Sequence, residues 1–339
     1  MKTYRIGILG LHHDHIWPNL EELAAQENAE IVAAADPNKS LLAKVSGLYG
    51  CAIYENYATM LDEAAPDAVY VYGNNKIGAK LASDAARRGL HVMVEKPMAA
   101  DLAGANDMLR AANEGGIRMM INWPFSWWPH LQKAIAMAGE GLLGRLWQVK
   151  YRAAHQGPKE MGCSECFCEW LYDRELNGAG ALMDYCCYGA ILARVLLGRP
   201  ASVTGIKGVL AKRDLNVEDN AILVLSYPKA LATSEASWTQ IGKLTAYTTS
   251  IFGEDGTLVV DPRGGGRLLH ASLKHEEGIE VPVAEPEPHM CSASAHFLWG
   301  IETGQPFHEL CETSNCRDSQ EILEAGIKSA DAGATVSLG

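Results

Sequence analysis

The feature that most constrains this chain is the alternation of short apolar runs with helically spaced segments through its first third. Arg5–Leu9, Ile31–Ala35, Ala52–Tyr54, Ala68–Tyr72, His91–Val94 and Arg118–Ile121 read as strands. Between them Pro18–Gln26, Ser40–Leu48, Tyr57–Ala64, Lys76–Arg88 and Ala103–Asn113 read as helices. Strands separated by helices pair in parallel, and the helices then cover both faces of the sheet. After about Gly144 the rhythm changes. Leu146–Ala153, Ala201–Val209, Ala221–Ser226, Leu231–Thr239, Thr245–Phe252 and Thr257–Val260 follow one another with turn residues between several of them. One strong helix, Ala181–Leu197, interrupts them, and two more lie near Ser292–Glu302 and Ser319–Ala332. The expectation is an α/β domain over 1–123, then an α+β domain over 124–339 with a large, mainly antiparallel, open-faced sheet. No flexible linker separates them.

Composition narrows the function classes. The chain has 339 residues, of which 48% are hydrophobic and 21% charged, so it is globular rather than disordered or coiled-coil. A net charge of −12 without a basic cluster argues against nucleic acid as a partner. No signal peptide is visible, and the apolar runs fall short of the ~18–20 residues that a membrane span requires. Nine cysteines, two of them adjacent, suit reduced thiols in a cytoplasmic protein.

Chemistry collects at a few places. A first strand turning at Gly10, with Asp36 after the second strand, is the layout that grips a dinucleotide by its ribose hydroxyls. A carboxylate there repels a 2′-phosphate, favouring NAD over NADP. The glycine signature is damaged, because its second and third positions are His12 and His15. Pro18 suits only a first helical turn, so the helix is expected to begin late or kink. The run His12-His13-Asp14-His15 supplies metal-ligand types, but adjacent residues rarely all face one ion. Contact with cofactor phosphate or substrate and plain loop packing stay open beside that reading, and no metal is expected. Cys163, Cys166 and Cys168 with Cys186-Cys187 lack the two separated pairs of a structural zinc site and read as ordinary thiols.

Glu95-Lys96-Pro97 ends the fifth strand, where open α/β sheets bind ligands. Asp184 and Tyr188, four apart, share a face of the second domain's main helix behind the glycines 178 and 180. Trp123, Trp127 and Trp128 offer either flat faces for a sugar ring or core packing between the domains.

These segments together resemble the Gfo/Idh/MocA (glucose-fructose oxidoreductase, inositol dehydrogenase, rhizopine catabolism) superfamily over essentially the whole chain. The carriers are Arg5–Gly10, Val32–Asp36, Asp67–Tyr72, Gly89–Ala99, Asn122, Gly141–Gly144, Gly178–Gly198 and Ile327–Leu338, with Glu95-Lys96-Pro97 the most specific. The resemblance implies a Rossmann domain for nicotinamide dinucleotide, with Gly10, Leu11, His12, His13, Asp36, Asn74, Asn75, Glu95, Lys96, Asn122 and Trp123 toward the cofactor. It implies a second domain whose open sheet often makes the interface of a homo-oligomer, here a dimer or tetramer. It further implies hydride exchange with a hydroxyl or carbonyl of a sugar, cyclitol or related polyol, Lys96 touching the reacting oxygen.

The family's D-x-G-x-H segment falls on Asp184, Cys186 and Tyr188, so its histidine is missing. Proton transfer is then open among Tyr188, Lys96, Asp184 and His155. The working expectation is Tyr188 as acid/base, its phenol lowered from ~10 by the Lys96 ammonium. Two other functions compete: a glycosidase using transient C3 oxidation and elimination, and a regulator that binds dinucleotide and sugar without turnover.

Overall fold

The computed structural model describes residues 2–339, and Met1 lies outside the described residues. Six strands, β1 (Tyr4–Leu9), β2 (Ala29–Ala35), β3 (Ala52–Tyr54), β4 (Ala68–Val71), β5 (His91–Glu95) and β6 (Met119–Asn122), form one sheet in the order β3-β2-β1-β4-β5-β6. Every pair in it is parallel. β4 is buried at all four positions, which is why it reads as an unbroken apolar run. The crossovers are α1 (Ile16–Ala24), α2 (Lys39–Tyr49), α3 (Tyr57–Ala64), α4 (Asn75–Ala86) and α5 (Leu102–Gly115). Side chains of Asn38, Asn56, Asn74 and Asp101 cap the last four by accepting first-turn amides, each cap stabilising by about 1 kcal/mol.

α1 corrects an expectation. It begins at Ile16, ahead of Pro18, rather than late. First-turn amides have no partner within a helix, so a proline in the third position loses nothing. The first helical bond runs from Asn19 N to His15 O.

After α6 (Pro129–Gly139) come β7 (Leu146–Ala154), α7 (Glu165–Leu171), α8 (Arg174–Asn177) and α9 (Cys187–Leu197). Then follow β8 (Ser202–Gly208), β9 (Asn220–Tyr227), β10 (Ala230–Ser237), β11 (Thr248–Gly253), β12 (Thr257–Asp261), β13 (Arg267–Ser272) and β14 (His275–Glu280). The chain ends with α10 (Ala293–Thr303), α11 (Thr313–Ala332) and β15 (Val336–Ser337). The second sheet has nine strands in the order β14-β13-β12-β11-β7-β10-β9-β8-β15. Its neighbours are antiparallel except β7 and β10, which run parallel. α9 and α11 pack on one face. The other face is open, with Ile206, Ile222, Val224 and Leu231 exposed along matched rows.

The hairpin β13–β14 and the helices α6 and α7 escaped the sequence reading. β14 is half glutamate and almost wholly exposed, so it carries no apolar alternation. α6 starts on Pro129, directly after the tryptophans, a first-turn proline that reads as a break.

The stretch Arg174–Leu197 is also a correction. By length and composition it would cross a membrane, yet 78% of its most apolar window is buried within the protein. It is not one regular helix. Leu182–Cys186 forms a π-helical turn before α9. Ser234 Oγ on β10 donates to the Cys186 carbonyl at 2.9 Å, and Cys187 Sγ donates to the Asp184 carbonyl at 3.0 Å. A Cβ on Gly189 would stand 2.2 Å from Ser234 Oγ, so glycine is what lets α9 close on β10.

The last helices return to the first sheet. Tyr70 of β4 donates to Ser294 of α10 at 3.1 Å, Ile121 N to Cys311 O at 3.1 Å, and Thr313 Oγ1 to Met119 O at 2.6 Å.

Candidate active site

β5 delivers Lys96 to the carboxyl end of the parallel sheet, where it is 3% exposed. The Lys96–Pro97 peptide is cis. The π-helical turn brings Asp184 against it. Lys96 Nζ donates to Asp184 Oδ1 at 2.7 Å and to the Asp184 carbonyl at 3.2 Å. Trp238 Nε1 donates to the other carboxylate oxygen at 3.1 Å. Burial disfavours both charges, but each ion stabilises the other. The lysine pKa is raised above its ordinary value and that of Asp184 lowered below the usual carboxylate range. Glu218 pins the approach to this turn by accepting the amides of Gly180 at 2.7 Å and Leu182 at 3.1 Å.

An ammonium has three N–H donors. With two spent on Asp184, the third is left for the pocket of about 260 Å³ that Lys96 lines. Aromatic rings make most of its wall, including Phe125, Trp128, Tyr151, Tyr185, Tyr188 and Tyr247. A second, more open chamber of about 550 Å³ continues past Trp128, His155 and Tyr247. His155 follows β7, and its Nδ1 accepts the Gly157 amide at 2.8 Å. That leaves the proton of the neutral ring on Nε2. Burial pushes its pKa down to about 4.

The lowering expected for the Tyr188 phenol is opposed by its surroundings. Lys96 Nζ lies over the Tyr188 ring, 5.1 Å from its centroid, and its charge is engaged by Asp184. Burial, with Cys187, Tyr151, Glu95 and Asp184 adding to it, raises the phenol well above its ordinary pKa. These surroundings favour the protonated phenol, against the lowering expected from Lys96.

On the other side of the His12–His15 loop lies a crevice of about 650 Å³ at the carboxyl ends of β1, β2 and β4, lined by His12, Pro37, Tyr57, Asn74, Lys76 and Lys80. β1 lies between β2 and β4, the point where strand order reverses and open α/β sheets take ligands. Gly10, at φ +86°, makes the turn out of β1, and a Cβ there would meet Gly73 N at 2.6 Å. The amides of His12 and Asp14 make no hydrogen bond among the described residues, so they remain for a phosphate. An aromatic ring and these free amides, with the Lys76 and Lys80 ammonium groups paired to Glu175 and Asp84, fit the adenosine and pyrophosphate parts of a dinucleotide, and Lys96 stands at the far end for the reacting part.

Several residues expected toward the cofactor have side-chain partners within the protein. Asp36 is wholly buried, and its oxygens accept the amides of Leu11 and Asn38, each at 2.7 Å. His12 Nδ1 covers it at 3.1 Å, so a ribose would reach Asp36 only once that ring swings aside. Leu11 places its side chain in the core. His13 is 2% exposed among Phe167, Trp170 and Tyr72, and burial lowers its pKa well below the ordinary value. Asn74 caps α4, while Asn75 reaches across to Asn177 Oδ1 at 2.7 Å.

Asn122 and Trp123 do not line the Lys96 pocket. Asn122 holds Glu95 Oε2 at 2.8 Å and accepts from Trp127 at 2.9 Å. Trp123 lies in the core with its N–H on the Cys316 thiol at 3.4 Å. Glu95 in turn holds His15 Nδ1 at 2.9 Å. A clamp missed in the sequence joins the two sides. Ser164 gives its amide and hydroxyl to the Asp14 carboxylate at 2.7 and 2.6 Å, and Trp170 Nε1 donates to His12 O at 3.3 Å.

His13, His15 and Glu95 present donor atoms within 4.8 Å of one another, but their facing atoms are used internally. His15 N donates to His13 Nδ1, and His15 Nδ1 pairs with Glu95. All nine cysteines are free. Tyr151, Tyr185, Tyr247 and Trp238 also escaped the sequence reading; only the inward phase of β7 signalled Tyr151.

Two family descriptions match the chain: the GFO/IDH/MocA "Oxidoreductase family, NAD-binding Rossmann fold" over residues 4–123, and its C-terminal domain over 131–259. The dTDP-3,4-didehydro-2,6-dideoxy-alpha-D-glucose 3-reductase of Streptomyces antibioticus is 27% identical across 88% of this chain and 89% of that protein. The D-xylose 1-dehydrogenase (NADP(+)) 2 of Haloferax volcanii is 24% identical across 98% of each. The crystal structure of an aldose-aldose oxidoreductase from Caulobacter crescentus, complexed with glycerol, superposes with a TM-score of 0.83 at 24% identity, covering 99% of this chain and 100% of that one.

Proposed function

Because the chain belongs to the Gfo/Idh/MocA oxidoreductase family, we propose that it is an NAD(P)-dependent dehydrogenase or reductase acting on the hydroxyl or carbonyl of a sugar, cyclitol or related polyol. The observation that carries this is Lys96, an ammonium held by Asp184 inside an aromatic pocket at the end of the parallel sheet. The nicotinamide, when bound, supplies or takes the hydride. Everything else falls to side chains of this chain.

Lys96 rests as an ammonium, so it donates a hydrogen bond to the reacting oxygen. In the reductive direction it gives that proton to the oxygen as hydride reaches the carbon, and the resulting amine regains a proton from solvent before the next turnover. Asp184 pairs with the resting ammonium and fixes where it stands, with Trp238 fixing Asp184. Neutral His155 and Tyr188 orient the substrate as hydrogen-bond donors. Residues 1–123 serve as the dinucleotide-binding unit, and 124–339 as the substrate-binding unit and the seat of oligomerisation. Between cofactors NAD is the choice, since a 2′-phosphate beside the buried Asp36 carboxylate would be repelled. The open sheet face with Ile206, Ile222, Val224 and Leu231 is the surface for a second copy.

The test is a panel of sugars, ketoses and cyclitols with oxidised or reduced cofactor, read by nicotinamide absorbance. A turned-over substrate should lose about 10²–10⁴ in kcat on Lys96→Met. Turnover that survives this change, or a panel that never moves the absorbance, removes the reading.

A further inference from the structure

The outer chamber of about 550 Å³, past Trp128, His155 and Tyr247, is charged against the trend of the chain. The chain carries 41 acidic and 29 basic residues, yet no carboxylate is among the residues lining this chamber, whereas Lys243 and Arg263 both are. Lys243 has no carboxylate partner among the described residues. It lies on the loop between β10 and β11. Gln240 holds that loop in shape, donating to the Leu244 carbonyl at 2.6 Å and accepting from Arg152 at 2.9 Å.

Arg263 heads a motif that the hydride transfer leaves unused, Arg263-Gly264-Gly265-Gly266-Arg267, at the turn from β12 into β13. Buried Asp261 fixes the arginine by accepting Nε at 2.8 Å and Nη2 at 2.6 Å, so Nη1 is left to donate elsewhere. Arg267 Nη2 approaches the same carboxylate at 3.5 Å. One negative charge is thus shared by two guanidinium groups, and the cluster keeps a net positive charge. The three glycines have φ of +64°, +96° and +94°, a run that residues with side chains rarely adopt. Gly264 lines the chamber, and the amides of Gly264 and Gly265 make no hydrogen bond among the described residues. Successive amides of this kind take anions, and a guanidinium matches carboxylate or phosphate oxygens.

We propose that the outer chamber is a subsite for an anionic substituent of the substrate, a carboxylate or phosphoryl group, received by Arg263, Lys243 and the amides of Gly264 and Gly265. This rests on the reading that the reacting carbon stands at Lys96. Trp128, His155, Met161 and Tyr247 line both cavities, so one molecule can reach from Lys96 into the chamber. The anion stays out of the aromatic pocket, where it would lose its water without gaining a partner. Charge then selects the substrate at a distance from the chemistry, and the substrate is an acidic carbohydrate derivative, not a neutral sugar.

The experiment is a ligand-observed NMR titration of the full chain saturated with NAD, which keeps phosphorylated probes out of the cofactor crevice. The probes come in sets that share a ring: D-glucose, D-glucuronate and D-glucose 6-phosphate, then D-galactose, D-galacturonate and D-galactose 6-phosphate. In at least one set an acidic member should bind at least roughly tenfold more tightly than the neutral sugar, the worth of a charge-assisted hydrogen bond. Whether the uronate or the phosphate leads tells a carboxylate subsite from a phosphoryl one. Arg263→Gln should bring the leading probe to within roughly twofold of the neutral sugar. Lys243→Gln, on an exposed loop, should weaken it roughly threefold. Neutral sugars that bind as tightly in every set, no binding by any acidic probe, or a preference that survives both substitutions overturns the proposal. Nicotinamide absorbance is followed in the same samples. An acidic preference that Arg263→Gln abolishes, without any redox turnover, leaves the subsite standing and removes the dehydrogenase reading instead.

Discussion

Two carboxylates are buried on opposite sides of the cleft, and they are satisfied in opposite ways. Asp36, after β2, is held by main-chain amides of Leu11 and Asn38 with His12 laid over it. Asp184, in the π-helical turn before α9, is held by a lysine ammonium and an indole N–H. The first carboxylate shapes a loop; the second sets the charge state of a neighbour. A carboxylate bonded mainly to backbone can be weakened without stranding a buried cation. One bonded to a buried cation cannot.

Asp184→Asn is the hardest test of that difference. It strands a buried ammonium, so the protein should lose about 3–5 kcal/mol, measurable by denaturant unfolding. The Asp184→Asn/Lys96→Met double variant should recover much of this, because the stranded charge goes with its partner. If the single variant is as stable as the parent, the two carboxylates are not different in kind.

Asp36→Asn should cost less, about 1–3 kcal/mol, since one of two amides then faces an NH₂ group. Its more telling effect is on cofactor choice. Relative kcat/KM for NADP over NAD should rise while kcat changes little. A fall in kcat comparable with that of Asp184→Asn would break the distinction from the other side.

The smallest effect is on acid stability. His155, His296 and His308 are each pushed down to about 4 by burial. Unfolded histidine titrates near ~6.5, so between these values the unfolded chain binds more protons and stability falls as pH falls. Asp184, held below the ordinary carboxylate range, stays charged through most of this window and contributes little. His155→Asn should therefore flatten the slope between pH 6.5 and 5.5 by about 1 kcal/mol. An unchanged slope would mean His155 is not buried as a neutral ring.

Much of the architecture was legible because it is written in periodicity. β4 and β5 are buried on both faces and read as solid apolar runs, and α4 and α5 carry their apolar stripe between capped ends. Lys96 and Asp184 were legible as charges out of place, one at the end of a buried strand and one beside glycines at a helix start. Their direct bond was not, because it depends on a π-helical turn held by Ser234, a residue 48 positions further on. The same limit hid Trp238 and Tyr247, which reach the site from a strand end and a loop across the second sheet. The tryptophan run divides for a related reason. Phe125 and Trp128 face the pocket, but Trp123 points the other way, into a core completed by Cys316 of α11.

That return of the C-terminal helices means the two halves cannot be cut apart with scissors at residue 123. An isolated N-terminal fragment would bare Tyr70 where α10 had covered it, and would leave the rim of β6 unzipped where residues 311 and 313 had closed it. Such a piece would be sticky and prone to clump. A transplant of the nucleotide-binding half into another scaffold has to bring residues 293–332 along as its lid.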